Sequence, residues 1–444
     1  MKDIETKQEI NDVLSYQEKQ LKEIHRIDPS EIDELIYNSE ELLSDLGYAL
    51  PNIKKDGELS KRTISISEWD DIVIKARESV GSGHEIEELF SKDELMANKE
   101  AVRAINHDFK QIYRLDKYDY AICVCTGLLA AATDILLVGI PGPGKEGTEA
   151  GSLSNWIRDR FRNMIPDEKV TELENSKLSK VPFDAQDNRN THIQVEGLSA
   201  YYHRLLELGH DPLLGFIVGV YDIMNGTMTT VDKSGRFMRQ VMANYSDRVA
   251  INLYEAISKE FTHLMSDVNT SMGLPVPLMS LFNFLQFGKI GEEELNIAEI
   301  VQGMYYQGYD FIHFFSMSIP VMLVEVLTRL CYTIRRMNEG IELKNALAIS
   351  TDREKNPKLA TMMFISHSIA AAANAGKVYL SKKPEAINYP QWVAFTISSY
   401  KQLKWSIIDK PALANDYFSE KIYNELSETY GVLDVFMDRY YVIV

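Results

Sequence analysis

The chain has 444 residues, and 45% of them are apolar, which is an ordinary value for a globular protein. Its 65 acidic residues outnumber its 47 basic residues, and the resulting net charge of -18 argues against a protein that wraps nucleic acid. The mean hydropathy of -0.20 excludes a protein built mostly of membrane spans, so any membrane part is a minority of the chain.

The first 82 residues predict a helical region of their own. Apolar side chains recur at helical spacing in residues 2–26, and Asp28-Pro29 marks the start of a second helix. A Gly-Ser-Gly break at residues 81–83 separates this region (1–82) from the rest (83–444). The start of the chain lacks the apolar segment of a signal peptide, which predicts a cytoplasmic location for the soluble parts.

Four strongly apolar segments follow, near residues 120–141, 213–229, 311–334 and 362–380. Helical periodicity is present in nearly every segment, whereas the alternation of apolar and polar residues that marks a strand is scarce. The sequence therefore predicts a mostly α fold. We expect a large helical bundle, with an N-terminal helical region and these four segments as central helices.

The segment 120–141 is long enough to cross a membrane, since about 20 apolar residues span a bilayer. Its Leu, Ile and Val side chains favour insertion, but Asp134 near its centre opposes insertion by about 2.5–3.5 kcal/mol. The balance is close to zero, and the sequence leaves open whether this helix spans a bilayer or is buried in a core. Lys and Arg flank the apolar segments at both ends and indicate no orientation.

A glycine-rich loop after the first segment resembles part of a phosphate-binding loop. It runs Gly139-Ile-Pro-Gly-Pro-Gly144-Lys145 and matches the G-x4-G-K spacing. Glu146 stands where such loops carry a hydroxyl for magnesium, and two prolines remove amides that would cradle phosphate. The pattern favours a loop that ends a helix, and Gly139, Gly144 and Lys145 are only weak candidates for nucleotide binding.

The second weak motif is His203 followed by His210-Asp211, which is similar in composition to metal sites of the His-Asp type. Pro212 disfavours helical angles at Asp211, so Asp211 is expected to cap a helix that begins with Pro212. We therefore treat His203, His210 and Asp211 as weak metal candidates. No cofactor is expected, and no catalytic residue is identified.

The stronger candidates for a site are polar side chains inside the apolar segments. Such groups are costly to bury unless they are paired or hydrogen-bonded, so we expect them to meet at the centre of the bundle. Glu325 and Arg329 are four residues apart and can pair on one helix. The full set of ligand or polar-centre candidates is Asp134, Asp222, Glu325, Arg329, His367 and Asn374.

The leading hypothesis is a non-enzymatic helical protein, cytoplasmic or membrane-associating, that acts through a partner or by perturbing a membrane. One alternative is a nucleotide-dependent enzyme that uses the loop 139–145. The other is a His/Asp metal-dependent hydrolase. A membrane lipid or a protein is the expected partner, nucleic acid is not expected, and a homo-oligomer is left open.

Overall fold

The computed structural model describes residues 2–25, 62–64, 68–85, 88, 90–144, 147–242, 249–250, 252–270, 272–290 and 293–443. The chain forms two compact units, one made of Met1–Ile112 with Ile408–Val444 and the other of Tyr113–Ile407. Helix predominates and strand is scarce, which confirms the predicted mostly α class. The predicted boundary after residue 82 stays a prediction, since several residues around it lie outside the described part.

The helices, in chain order, are α1 (Lys2–His25), α2 (Trp69–Val80), α3 (Lys92–Tyr113), α4 (Lys117–Ala132), α5 (Ser152–Met164), α6 (Asp167–Asn175), α7 (His203–Leu206), α8 (Val220–Asn225), α9 (Leu253–Asp267), α10 (Ile297–Tyr306), α11 (Phe311–Asn338), α12 (Leu343–Ala346), α13 (Leu359–Ser381), α14 (Tyr389–Lys404) and α15 (Lys410–Tyr440). Wider π-helical turns continue α4 over Thr133–Val138, precede α8 over Gly215–Gly219 and follow α14 over Trp405–Asp409. The strands are β1 (Arg62–Ile64), β2 (Gly142–Gly144), β3 (Gly147–Glu149), β4 (Thr227–Val231), β5 (Phe237–Val241) and β6 (Tyr441–Ile443).

In the first unit, α1 packs on α2 through Val13, Val73 and Ala76. Asp12 is fully buried beneath this contact, and its Oδ1 accepts a hydrogen bond of 3.0 Å from the backbone N–H of Gly83. Strand β1 pairs in parallel with β6. The pairing therefore joins the C-terminal end of the described chain to a segment near residue 63 within this unit.

The second unit is built around a bundle of four helices, in which α4 and α13 run parallel to each other and α11 and α14 run in the opposite direction. Asp116 caps α4 by accepting from the backbone N–H groups of Tyr118 and Asp119, and Arg335 of α11 bonds to both carboxylates. Lys358 also lies 3.4 Å from Asp119. We call the end of the bundle that carries Arg335 and Lys358 the basic end. At the opposite end, the π-helical continuation of α4 ends at Val138.

One detail of the prediction is not confirmed, because the apolar segment 213–229 is not a fourth long helix. It forms a π-helical turn and the short helix α8, which ends at Gly226 in a left-handed conformation with φ of 65°. The residues that follow Gly226 pair as β4 with β5 in an antiparallel hairpin. The fourth helix of the bundle is α14 (Tyr389–Lys404), which is rich in aromatic residues.

Residues 139–310, called the insert below, connect α4 to α11. Its largest core cluster is formed by buried side chains from α7, α8, β4 and the preceding loops, including Phe183, Leu206, Ile223 and Met228. A second cluster joins the insert to the end of α4 and the start of α11 through Val138, Tyr305 and Met317. The insert thus extends the bundle at the end opposite the basic end.

The outer surface of the bundle is apolar on three of its helices. From Phe315 to Met337, each side chain of α11 that is classed as exposed is apolar. Two helical stretches among the described residues, Lys92–Val138 and Phe311–Asn338, are long and apolar enough to cross a membrane by length and composition. We define the apolar belt by six side chains that are 50–71% exposed: Leu128, Leu136, Met322, Val326, Ile397 and Tyr400.

Candidate metal centre

A cluster of three histidines and two aspartates lies inside the insert. His203 begins α7, and His210 follows it after one further short turn. His263 and Asp267 are four residues apart on α9, so both side chains project from one face of that helix. Asp184 comes from the irregular segment before α7.

Five potential ligand atoms converge in this cluster. The Nε2 atoms of His210 and His263 are 3.1 Å apart, and Oδ2 of Asp267 lies 3.5 Å from the first and 3.6 Å from the second. Oδ1 of Asp184 lies 4.0 Å from Nε2 of His210 and 3.6 Å from Nε2 of His203. Two nitrogen ligands of one zinc ion, each about 2.0–2.1 Å from it, are roughly 3.3 Å apart, so these spacings suit a shared cation.

In two of the three histidines, His203 and His263, a backbone carbonyl holds the other ring nitrogen away from the centre. Nδ1 of His203 lies 3.0 Å from the carbonyl oxygen of Ala200, and Nδ1 of His263 lies 2.9 Å from that of Ser179. Nδ1 of His210 lies 3.2 Å from Oε2 of Glu207, but neither of these atoms makes a hydrogen bond within the described part of the chain. Metal-binding histidines have this arrangement, in which one ring N–H donates to a carbonyl or carboxylate and the other nitrogen keeps its lone pair for the metal.

Asp267 is oriented in the same way. Its Oδ1 accepts a hydrogen bond of 3.0 Å from the guanidinium of Arg204, which also contacts Thr270. Its Oδ2 points to the centre and has no hydrogen-bond partner in the described part of the chain. Arg204 therefore fixes which oxygen of the carboxylate faces the histidines.

The electrostatics of the cluster favour neutral imidazoles at His203 and His210. Burial, followed by the positive charge of Arg204, lowers the pKa of His203. Burial, followed by the neighbouring histidines, lowers the pKa of His210 well below its ordinary value. Nε2 of His203 is buried and has no hydrogen-bond partner among the described residues. Neutral imidazoles facing one another with free lone pairs repel unless a cation or proton lies between them.

The cluster opens to solvent at one edge. Asp184 has 32% of its side chain exposed, whereas His203, His210, His263 and Asp267 are all buried. Asp184 is therefore the member of the cluster that reaches the protein surface.

The sequence motif around His203 and His210 is thus partly a site and partly a cap. Both histidines belong to the cluster, but Asp211 does not. Its Oδ1 accepts from the backbone N–H groups of Leu213 and Leu214, as expected of the capping residue.

Sequence reasoning missed Asp184, His263 and Asp267. The pair His263-x3-Asp267 was the available signal, because its spacing places an imidazole and a carboxylate on one helical face.

The polar candidates in the bundle form two groups, which are joined through Gln391. Asp134 is buried and accepts hydrogen bonds of 2.8 Å from Asn374 and from Asn388, with the ammonium of Lys377 at 3.2 Å. The second group begins at Glu325, which is 2.8 Å from Arg329 by its Oε2. Its Oε1 lies 3.3 Å from Nε2 of His367.

The expectation that Asp222 joins this polar centre is wrong. Asp222 lies on α8 in the insert, where its carboxylate accepts from Thr227 and from the backbone N–H of Thr229. Arg239 is 3.7 Å away. The carboxylate of Asp222 therefore holds the start of β4 in place rather than joining the polar groups of the bundle.

The loop 139–145 does not have the layout of a phosphate-binding loop, which follows a strand and enters a helix. Here a helix precedes it, and residues 142–144 pair with residues 147–149 in a small hairpin. Gly139 has φ of 74° and donates its N–H to the carbonyl of Asp134, which ends the helix. Lys145 lies outside the described residues, and for Gly144 the structure describes only the backbone.

An apolar cavity of about 680 Å³ lies elsewhere in the second unit. Val276, Met279, Tyr309 and Tyr389 are among its lining residues, and Lys382 is at its margin. None of the five residues of the metal cluster lines it.

No family model, curated protein or solved structure matches the chain.

Proposed function

We propose that the chain is a metal-dependent hydrolase whose metal ligands are Asp184, His203, His210, His263 and Asp267. The observation that carries this proposal is the convergence of Asp184, His210 and His263, each of which offers one ligand atom within 4.8 Å of the other two. Imidazole and carboxylate ligands suit zinc and other divalent first-row metals. The proposal differs from the sequence-based expectation that no cofactor binds.

The chemistry follows from the properties of such a site. A divalent ion lowers the pKa of a bound water, so that hydroxide is available near neutral pH. Asp184, with 32% of its side chain exposed, is where we expect water and substrate to enter. The hydroxide oxygen would bond to an electrophilic carbon or phosphorus atom, the bond to the leaving group would break, and the leaving group would depart with the proton.

The other functional hypotheses have less support. The hairpin after α4 does not favour the nucleotide-dependent enzyme. A non-enzymatic protein that acts through a partner remains a prediction, because nothing in the described part of the chain identifies such a partner. The membrane association in that hypothesis is retained here, since the apolar belt supports it, and we place the hydrolase at a membrane.

Metal content tests the proposal directly. The full-length chain, purified after equilibration with Zn²⁺ or Mn²⁺ and removal of free ions, should retain about one ion or more per chain, because structural and catalytic sites of this donor set bind tightly. The double variant His210→Ala/His263→Ala should lose it. His192→Ala removes an exposed histidine of the same insert and should retain the metal. Equal metal content in the wild type and the double variant would refute the site.

Activity tests the second part of the proposal. Chromogenic carboxylic esters, phosphomonoesters and phosphodiesters should be offered to the metal-loaded protein with and without a chelator. At least one class should be hydrolysed, and chelation or the double variant should abolish that hydrolysis while His192→Ala leaves it unchanged. Tight metal binding without hydrolysis of any class would instead indicate a structural ion.

A further inference from the structure

We infer that the bundle spans a lipid bilayer, that acyl chains cover its apolar belt, and that the metal centre lies on the opposite side of the membrane from residues 339–358. The inference goes beyond the proposed function and uses the metal centre only as a landmark in the insert. It stands or falls independently of hydrolysis.

The spacing of charged groups matches a bilayer. On α4 and its π-helical extension, the charged residues nearest to the two ends of the bundle are Asp119 and Asp134, and none lies between them. On α13, none lies between Lys358 and Lys377. At 1.5 Å per residue these intervals are about 22 Å and 28 Å long, close to the roughly 30 Å hydrocarbon core of a membrane.

Several polar groups between these levels are satisfied inside the protein, although Oε1 of Gln391 and Oγ of Ser399 on α14 have no hydrogen-bond partner among the described residues. Thr126 of α4 donates to Ser366 of α13 at 3.0 Å, and Thr328 of α11 donates to Thr126 at 3.2 Å. Thr133 and Thr396 donate to backbone carbonyls one turn earlier in their own helices. A segment in hydrocarbon requires such internal partners, since no water is available there.

The one charged pair in this interval follows the same rule. Glu325 pairs with Arg329, whose guanidinium also donates to the backbone carbonyl of Ala348 at 3.0 Å. Charged residues within membranes pair with one another or with backbone carbonyls in this way. His367 is fully buried, whereas Arg329 and Glu325 keep 28% and 40% of their side chains exposed, so the pair lies at the edge of the protein interior.

A bilayer fits the belt better than a protein partner does. The most apolar windows of the stretches Lys92–Val138 and Phe311–Asn338 are only 44% and 39% buried, whereas a core helix of a soluble protein is mostly buried. The exposed apolar side chains occur on α4, α11 and α14, so they surround much of the bundle. A single partner, or a second copy related by a two-fold axis, would cover one patch of it.

Basic residues indicate the orientation. The sequence alone could not show which charges share an end, but the structure does. The end of the bundle at α11 and α13 carries Arg335, Arg336, Lys344, Arg353, Lys355 and Lys358. The short connection at the other end carries Lys382 and Lys383.

Short loops rich in Lys and Arg stay on the cytoplasmic side, whereas long segments are translocated largely regardless of their charge. Residues 339–358 therefore face the cytoplasm. The insert, with the metal centre, faces the other side. This placement differs from the sequence-based expectation that all soluble parts are cytoplasmic.

Single-cysteine labelling tests the topology. All three native cysteines, Cys123, Cys125 and Cys331, lie in the bundle and can be replaced by alanine. Lys169→Cys in the insert and Lys344→Cys in the basic loop then introduce one thiol each at matched exposed positions. A membrane-impermeant maleimide is applied to spheroplasts of a bacterial expression host, before and after permeabilisation.

The inference predicts that the thiol at position 169 is labelled in intact spheroplasts and that the thiol at position 344 is labelled only after permeabilisation. The protein should also remain in the membrane pellet after alkaline carbonate extraction. Equal labelling of both positions, reversed labelling, or release into the soluble fraction would each overturn the inference. Metal content, measured separately, would be unaffected by such a result.

A pair of substitutions tests the occupant of the belt. Leu128→Lys places a charge on the belt, and Leu178→Lys places one at an exposed leucine of the insert. The first should reduce the amount of protein in the membrane fraction several-fold, and the second should leave it unchanged. If Leu128→Lys instead yields a soluble, folded protein of lower oligomeric state, the belt is an interface between copies and the inference is wrong.

Discussion

At the scale of single residues, the buried polar clusters around Asp134 and around His210 differ in whether their polar atoms all have hydrogen-bond partners. Around Asp134, both carboxylate oxygens have donors, so the cluster is complete as it stands. Around His210, by contrast, Oδ2 of Asp267 and Nε2 of His203 have no hydrogen-bond partner among the described residues. Buried polar atoms without partners are costly, and a cation would satisfy several of them together.

Arg204 should act as a positioning residue for the metal. Arg204→Met removes the donor that holds Oδ1 of Asp267, so the carboxylate can rotate away from the histidines. We expect the metal affinity to fall by about 10–100-fold, as is usual when a partner of a metal ligand is removed. Competition with a metal-binding dye measures the change.

The matched control is Arg189→Met, which breaks an exposed pair with Asp187. It should leave the affinity for metal unchanged. Equal loss in both variants would show that Arg204 has no specific relation to the site.

Lys377 should be needed to compensate the charge of Asp134. Lys377→Met leaves a buried carboxylate without its cation, and such losses typically cost about 3–5 kcal/mol of unfolding free energy. Adding Asp134→Asn should recover part of that loss, because the surviving group is then neutral. Denaturation in detergent micelles provides the measurement.

For the exposed neighbour Lys383, substitution by Met should change the unfolding free energy by no more than about 0.5 kcal/mol. Purely additive effects of the Lys377 and Asp134 changes would contradict the pairing. No such coupling is expected between Arg329 and Asp222, since these residues lie in different parts of the unit.

At the scale of elements, the close packing of α4 on α13 depends on a glycine. A Cβ at Gly127 would lie 2.9 Å from the carbonyl oxygen of Ser366 and 2.8 Å from Cβ of Ile369. Neither atom is the end of a flexible side chain, so the helices would have to separate. Small residues at such positions allow helix backbones to approach closely, in membranes especially.

Gly127→Ala should therefore destabilise the bundle by about 1–3 kcal/mol, the usual cost of overpacking. Gly376→Ala is the control on α13, where no atom lies within 4 Å of the added Cβ. It should be neutral or stabilise the helix by up to about 1 kcal/mol. Chemical denaturation of both variants in the same detergent decides the matter, and equal effects would contradict the packing argument.

The elements also show what sequence reasoning could and could not reach. Long periodic segments such as 311–334 and 362–380 were predictable, because apolar spacing over many turns specifies a helix. The segment 213–229 was not, since short apolar runs do not distinguish helix from strand and Gly226 ends the helix by a backbone conformation. The cap at Asp211 was predictable from Pro212, because that effect is local.

The metal cluster was reached only in part for a related reason. His203 and His210 are close in sequence and could be proposed, although as weak candidates. Asp184 and His263 are distant in the chain, and the fold of the insert brings them together through Phe183, whose ring packs against both His210 and His263. Contacts of this kind have no local sequence signal.

At the scale of the whole molecule, the second unit combines a metal cluster in the insert with a bundle whose outer surface is apolar and whose interior holds buried polar networks beside apolar core clusters. In a typical soluble protein the large apolar side chains would be inside. The combination leads to the proposal of a hydrolase held at a membrane by the same polypeptide that carries its metal centre. This proposal depends above all on the presence of a metal ion bound by the cluster.

X-ray absorption at the metal edge of the purified, metal-loaded chain tests that claim most directly. The account predicts scattering from imidazole rings with metal–nitrogen distances of about 2.0–2.1 Å if the ion is zinc. The imidazole contribution should fall in His263→Ala and stay unchanged in His192→Ala. A spectrum with only oxygen ligands, or one that His263→Ala leaves unaltered, would contradict the assignment of the centre to these residues.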